Sequence, residues 1–120
     1  MKIAGIILAV AALAVAAVSF AGTGSGFSEG TLKPQCMARV SIPVAAKEAI
    51  SIQVRGNGGD LDCYLYRGKE PGQPFGKFVT RDDTSKDGCD LRATSVQGET
   101  FLLLVQNTSN HDEHYTVSTN

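Results

Sequence analysis

Beyond its first 21 residues the chain has no segment with a 3.6-residue apolar period over ten or more residues, so a helical fold has nothing to build on. There is no basic excess: 11 Lys and Arg stand against 12 Asp and Glu, for a formal charge of -1. That excludes the electropositive surface that nucleic-acid binding requires. No internal repeat is evident. Neither a nucleophile elbow, a phosphate-cradling glycine loop nor a paired-acid arrangement occurs, which removes the usual sequence grounds for an enzyme. Histidine is scarce, with His111 and His114 in one HDEH stretch. With Asp112 and Glu113 between them they suggest zinc superficially, but the segment reads as a loop entering a strand. A zinc pair on one helix face is not implied there, and a surface loop is the better reading.

What is present begins with an export signal. Lys2 supplies a positive start, Ile3 to Val18 is an uncharged, alanine-rich run, and Ser19-Phe20-Ala21 ends it with small residues at the first and third positions. Residues 1–21 are therefore expected to be a signal peptide with a signal helix, cleaved to leave Gly22. The competing reading is a retained anchor, because the 19 residues from Ile3 to Ala21 just reach a bilayer-spanning length. The small-residue exit favours cleavage. The product has 99 residues, one domain's worth, and no stable membrane anchor. It is exported, to the periplasm or beyond the cell. Residues 22–35 read as a flexible lead-in, since Gly22 to Gly30 (GTGSGFSEG) is glycine- and serine-rich and cannot bury enough surface to order itself. The domain proper is expected over residues 36–120.

From Cys36 the pattern turns to period two. Cys36, Ala38, Val40, Ile42 and Val44 share one phase, and Pro43, which has no amide hydrogen, marks an edge strand or its end. Ala49 to Arg55 alternates with Ile50, Ile52 and Val54 on one face. A glycine turn at Gly56 to Gly59 then releases into DLDCYLYR, the strand around which the chain is organised. Leu61, Cys63 and Leu65 fall on one face; Asp62, Tyr64 and Tyr66 fall on the other. Gly68 to Gly76 is too rich in proline and glycine for regular structure and precedes a short run at Lys77 to Arg81. Further strands follow from Cys89, from Thr100 to Gln106 (TFLLLVQ, suited to the middle of a sheet) and from His114 to Thr119, with Tyr115 and Val117 inward. Short strands at close spacing, with turns between, predict an all-β antiparallel sandwich or barrel.

All three cysteines lie in the exported part, where disulfides form. Cys63 and Cys89 share a phase with core leucines, so a Cys63 to Cys89 bridge is the favoured pairing. A pair involving Cys36 stays open, as does a disulfide-linked dimer through it. The aspartates beside the two loops, Asp60 and Asp62 with Asp82 and Asp83, could supply oxygens to calcium, or could simply cap turns and hold loops in water. Tyr64 and Tyr66 form a binding platform if their face is open and ordinary packing if a loop covers it. Asn107-Thr108-Ser109 formally matches a glycosylation acceptor.

From about Val40 to Asn120 the chain resembles the bacterial pre-peptidase C-terminal domain. The residues that carry the resemblance are GGDLDCYLY, then Asp83-Thr84 and Cys89, then Gly98 with the Phe101 to Val105 strand, and finally Gln106-Asn107 with the closing Tyr115-Thr116-Val117. The usual family context is an appendage to a secreted protease, whereas a stand-alone, exported domain is expected here. The resemblance implies a small, jelly-roll-like β-sandwich, exported, that binds substrate or cell-surface polymer or helps a partner fold, with calcium in some members. Two functions follow as expectations. One is a non-catalytic binding module for a protein or polysaccharide, acting through Tyr64 and Tyr66. The other is a regulator of an exported hydrolase, an inhibitor or folding aid, acting through the Gly68 to Gly76 loop with Phe75 at its tip.

Overall fold

A computed structural model describes residues 18–19, 26–67, 77–84 and 86–120. The cleavage site at Ala21 and Gly22, almost all of the expected signal peptide, and Phe75 with its loop lie outside the described residues. Among the described residues there are nine strands: β1 (Val18–Ser19), β2 (Gly26–Leu32), β3 (Met37–Val44), β4 (Glu48–Arg55), β5 (Leu61–Arg67), β6 (Phe78–Asp82), β7 (Gly88–Ser95), β8 (Glu99–Asn107) and β9 (Glu113–Thr119). There is no helix among the described residues. One sheet runs β1-β3-β8-β5-β6 and the other β2-β9-β4-β7. Every pairing is antiparallel except that of the two-residue β1 with Val40 and Ser41 of β3. Pro43 of β3 lies opposite Thr100 of β8, and on its other side, past the short β1 contact at Val40 and Ser41, no strand pairs with it among the described residues, which is where a residue without an amide hydrogen belongs.

The two sheets close on one core, and the period-two pattern determines which residues enter it. Val40 and Ile42, Leu61, Cys63 and Leu65, and Phe101, Leu103 and Val105 come from the first sheet; Ile50, Ile52 and Val54, Leu91, Tyr115 and Val117 come from the second. Strand β8 lies between β3 and β5, the central position that its five apolar residues predict. The Cys63 to Cys89 bridge is formed and joins β5 in one sheet to β7 in the other, with both cysteines buried. Cys36 is free within the chain and packs, half-buried, against the core.

The expected flexible lead-in is corrected. Residues Gly26–Leu32 are a strand, paired with β9 from Gly26 opposite Thr119 to Leu32 opposite Glu113, with Ser28 and Leu32 buried. Residues before Cys36 therefore belong to the sandwich, from Gly26–Leu32 in the second sheet. Composition weighs only the surface a segment can bury alone, whereas β2 gains its order from the ladder that β9 offers. Gly30 has a specific reason to be glycine: a Cβ there would sit 2.9 Å from the Tyr115 hydroxyl and 3.0 Å from its ring.

The glycosylation motif is also resolved. Asn107 is fully buried; its side-chain amide donates to the carbonyls of Leu32 (3.0 Å) and His111 (2.8 Å), and its oxygen accepts from the Ser109 amide (2.9 Å). The side chain that a glycan would need is committed to joining the ends of β2 and β8 to the loop that follows. Replacing Asn107 with alanine leaves buried carbonyls without donors and is expected to cost about 2 kcal/mol in urea unfolding. A change within about 0.5 kcal/mol, the usual range of a surface substitution, would show that the tie is not structural.

Candidate binding face and acidic loops

On the outer face of the first sheet, Tyr64 and Tyr66 of β5 lie beside Leu104 and Leu102 of β8. On their other side, in β6, Arg81 is opposite Tyr64 and Phe78 opposite Tyr66, after a register shift between Leu65 and Tyr66. The Tyr66 and Phe78 rings meet edge to face at 5.6 Å, and Phe78 is 49% exposed. Both tyrosines are half-buried. Leu104 faces away from the core yet is only 3% exposed, and it is flanked in register by exposed Arg39 and half-buried Tyr64. Burial pushes the Tyr64 hydroxyl above its ordinary range, with Asp62 and Asp83 adding to the effect and Arg81 opposing it. The outer face of the second sheet has another character. Gln53, Arg55, Asp90, Arg92, Thr94 and His114 are all exposed there.

Leu102, Leu104 and Phe78 are the members of this face that sequence reasoning missed. The signal for the leucines was the unbroken run in TFLLLVQ, since a strand apolar at every position covers both faces of its sheet.

The four aspartates weighed for calcium do come into one neighbourhood. Asp62 is raised above its ordinary value by burial first, then by the charges of Asp60, Asp83 and Asp82. Asp82 is held low, because its carboxylate accepts the Asp90 amide at 3.0 Å and the Thr84 hydroxyl at 3.0 Å. That is the turn-capping arrangement. Asp83 pairs with Arg81 at 3.5 Å. Among the described residues no three acidic, histidine or cysteine side chains converge closely enough to hold one metal ion. The two histidines take separate partners: His114 Nε2 lies 3.1 Å from Glu29 Oε1, and His111 Nδ1 lies 3.9 Å from Glu113 Oε2.

A second acidic group, not anticipated from sequence, surrounds the glycine turn. Glu113 is fully buried; its Oε1 accepts the amides of Asn57 (2.9 Å) and Gly59 (3.1 Å). Asp87 Oδ2 accepts the Gly58 amide. A Cβ on Gly56 would collide with both carboxylates, and one on Gly59 with Glu113. The glycines are therefore required by close approach. Counting back in twos from Val117 and Tyr115 places Glu113 on the inward face, and that was the available signal.

No family model matches the chain, and no curated protein matches it in sequence. Solved structures do. The pre-peptidase C-terminal domain of a collagenase from Bacillus anthracis superposes with a TM-score of 0.63 at 14% identity, over 88% of this chain and 93% of that one. PliG of Aeromonas hydrophila, a periplasmic inhibitor of g-type lysozyme, gives 0.60 at 13% identity over 88% and 95%. The Salmonella Typhimurium inhibitor of the same kind gives 0.53 at 16% over 89% and 98%. At these identities the likeness is one of architecture, and the chain has the β-sandwich fold shared by a pre-peptidase C-terminal domain and periplasmic lysozyme inhibitors.

Proposed function

We propose that this chain is an exported, non-catalytic binding module that takes a protein or glycan on the outer face of its first sheet, with Tyr64, Tyr66 and Phe78 as contact residues. The supporting observation is the contrast between the two outer faces: a cluster of Tyr64, Tyr66, Phe78 and two leucines on one sheet, and a polar, exposed surface on the other, where Phe27 on the edge strand β2 is a lone exposed aromatic among the described residues. Rings that are apolar at the body and hydrogen-bonding at the tip suit a surface that is dry in the complex and wet outside it. The bridge across the core suits an oxidising compartment. A second reading, regulation of an exported hydrolase, is favoured by the two inhibitors among the structural neighbours.

One pair of assays separates them. The full chain is sedimented with insoluble cell-wall polymer, and in parallel titrated into a purified g-type lysozyme. Binding to the polymer with no loss of lysozyme activity supports the module. Stoichiometric loss of activity supports the regulator and displaces the first reading.

A further inference from the structure

The Asp87 and Glu113 carboxylates meet across the glycine turn, one arriving from the β6–β7 loop and the other from the start of β9: a Cβ on Gly56 would stand 2.0 Å from Asp87 Oδ1 and 2.2 Å from Glu113 Oε1. Each keeps one buried oxygen without a donor, Asp87 Oδ1 and Glu113 Oε2. The donors nearby are committed elsewhere. The amides of Asn57 and Gly59 go to Glu113 Oε1 and that of Gly58 to Asp87 Oδ2, while the Ser109 hydroxyl lies 2.6 Å from Asn107 Oδ1. Two ionised carboxylates cannot share such a site without a charge between them, because like charges in contact and out of water repel strongly.

We propose that Asp87 and Glu113 share one proton, and that this acid pair is a pH-sensitive latch that holds the Gly56 to Gly59 turn against β7 and β9. With the proton present, one acid donates to the other and both brace the three turn amides. As pH rises and the proton leaves, the two charges push apart, and the turn loosens, since its Asn57, Gly58 and Gly59 amides have no other partner among the described residues and only the Gly56 amide is held independently, by the Asp87 carbonyl at 3.1 Å. The charged groups facing the pair are few. His111 on the β8–β9 loop stands 3.9 Å from Glu113 Oε2, and Arg55, Lys86 and Asp90 line the hollow beside Asp87. The turn itself contributes no charge. Burial, followed by the nearness of the Asp87 carboxylate, raises Glu113 above the ordinary glutamate value, in keeping with a retained proton.

The sign follows from linkage. A raised value means that the folded state binds the proton more tightly than the unfolded state, so the pair's own contribution to stability is fully present below the ordinary carboxylate value and is lost as pH rises through the raised one. Hydrogen exchange at the Asn57, Gly58 and Gly59 amides, corrected for its intrinsic pH dependence, reads the latch directly in the full chain from about pH 4 to about pH 8. Protection at these three amides is expected to fall by up to about tenfold per pH unit inside the window. Glu113→Gln, and separately Asp87→Asn as the less buried substitution, are expected to flatten that dependence; either amide can donate to the remaining carboxylate without a shared proton. His111→Gln is expected to leave it in place, which separates the pair from the imidazole. Protection independent of pH in the unaltered chain would overturn the proposal. So would an unchanged pH dependence in Asp87→Asn, or a dependence that calcium chloride removes and a chelator restores, since the last result would make a cation, and not a proton, the neutralising partner.

Discussion

Replacing both Cys63 and Cys89 with alanine is expected to lower stability by about 3.5 kcal/mol, a large part of what a domain of this size possesses. The bridge closes a loop of 26 residues, and cross-linking removes that loop's freedom from the unfolded chain. It also ties β5 to β7, and so one sheet to the other, at fully buried positions. Urea unfolding of the double variant against the oxidised chain measures the effect, and reduction of the unaltered chain should reproduce it. A loss below about 1 kcal/mol in both would mean that the unfolded chain is already compact around β5 and β7, so that the bridge constrains little. The Cys36 thiol, which has no partner in the chain, is not expected to replace either cysteine.

Leu65→Ala is expected to cost about 2 to 5 kcal/mol, whereas Tyr64→Ala, one position away in the same strand, is expected to cost about 1 kcal/mol. The difference arises from the pleat. Leu65 is fully buried between the sheets, and Tyr64 lies half-buried on the outer layer against Leu104. Tyr66 is expected to resemble Tyr64, because its contact with Phe78 is at the surface edge of the sheet. Urea titrations of the three single variants test this. Equal losses at Leu65 and Tyr64 would make the outer layer a second core and remove the basis for treating it as a contact surface.

Much of the fold was legible because period-two patterning is enforced at every half-buried strand. The phase of Cys63 with Leu61 and Leu65, and of Cys89 with Leu91, favoured the bridge that is formed while leaving Cys36 open, and the run in TFLLLVQ suited the central place that β8 takes in its sheet. Strand β2 was not legible. Its order comes from a partner 80 residues and more away in sequence, and no local composition encodes a ladder offered by β9. The acid pair escaped for a similar reason. Asp87 and Glu113 are 26 residues apart, and each on its own reads as a solvated loop charge; only the fold brings both onto one glycine turn. The aspartates weighed from sequence for calcium lie near enough to one another for the charges of Asp60, Asp83 and Asp82 to raise Asp62 by repulsion. Even so, Asp82 spends its oxygens on Asp90 and Thr84, a local use that spacing alone could not reveal.

The central claim is that the aromatic outer face binds a partner and contributes little else. Its most direct test is the double variant Tyr64→Ala with Tyr66→Ala, assayed for binding to whichever of the cell-wall polymer or the lysozyme engages the unaltered chain, with both proteins confirmed folded by urea titration. The account predicts a loss of about tenfold or more in affinity, since aromatic anchors carry a disproportionate share of interface energy. Unchanged affinity in a folded double variant would contradict it and move the contact to another surface of the sandwich.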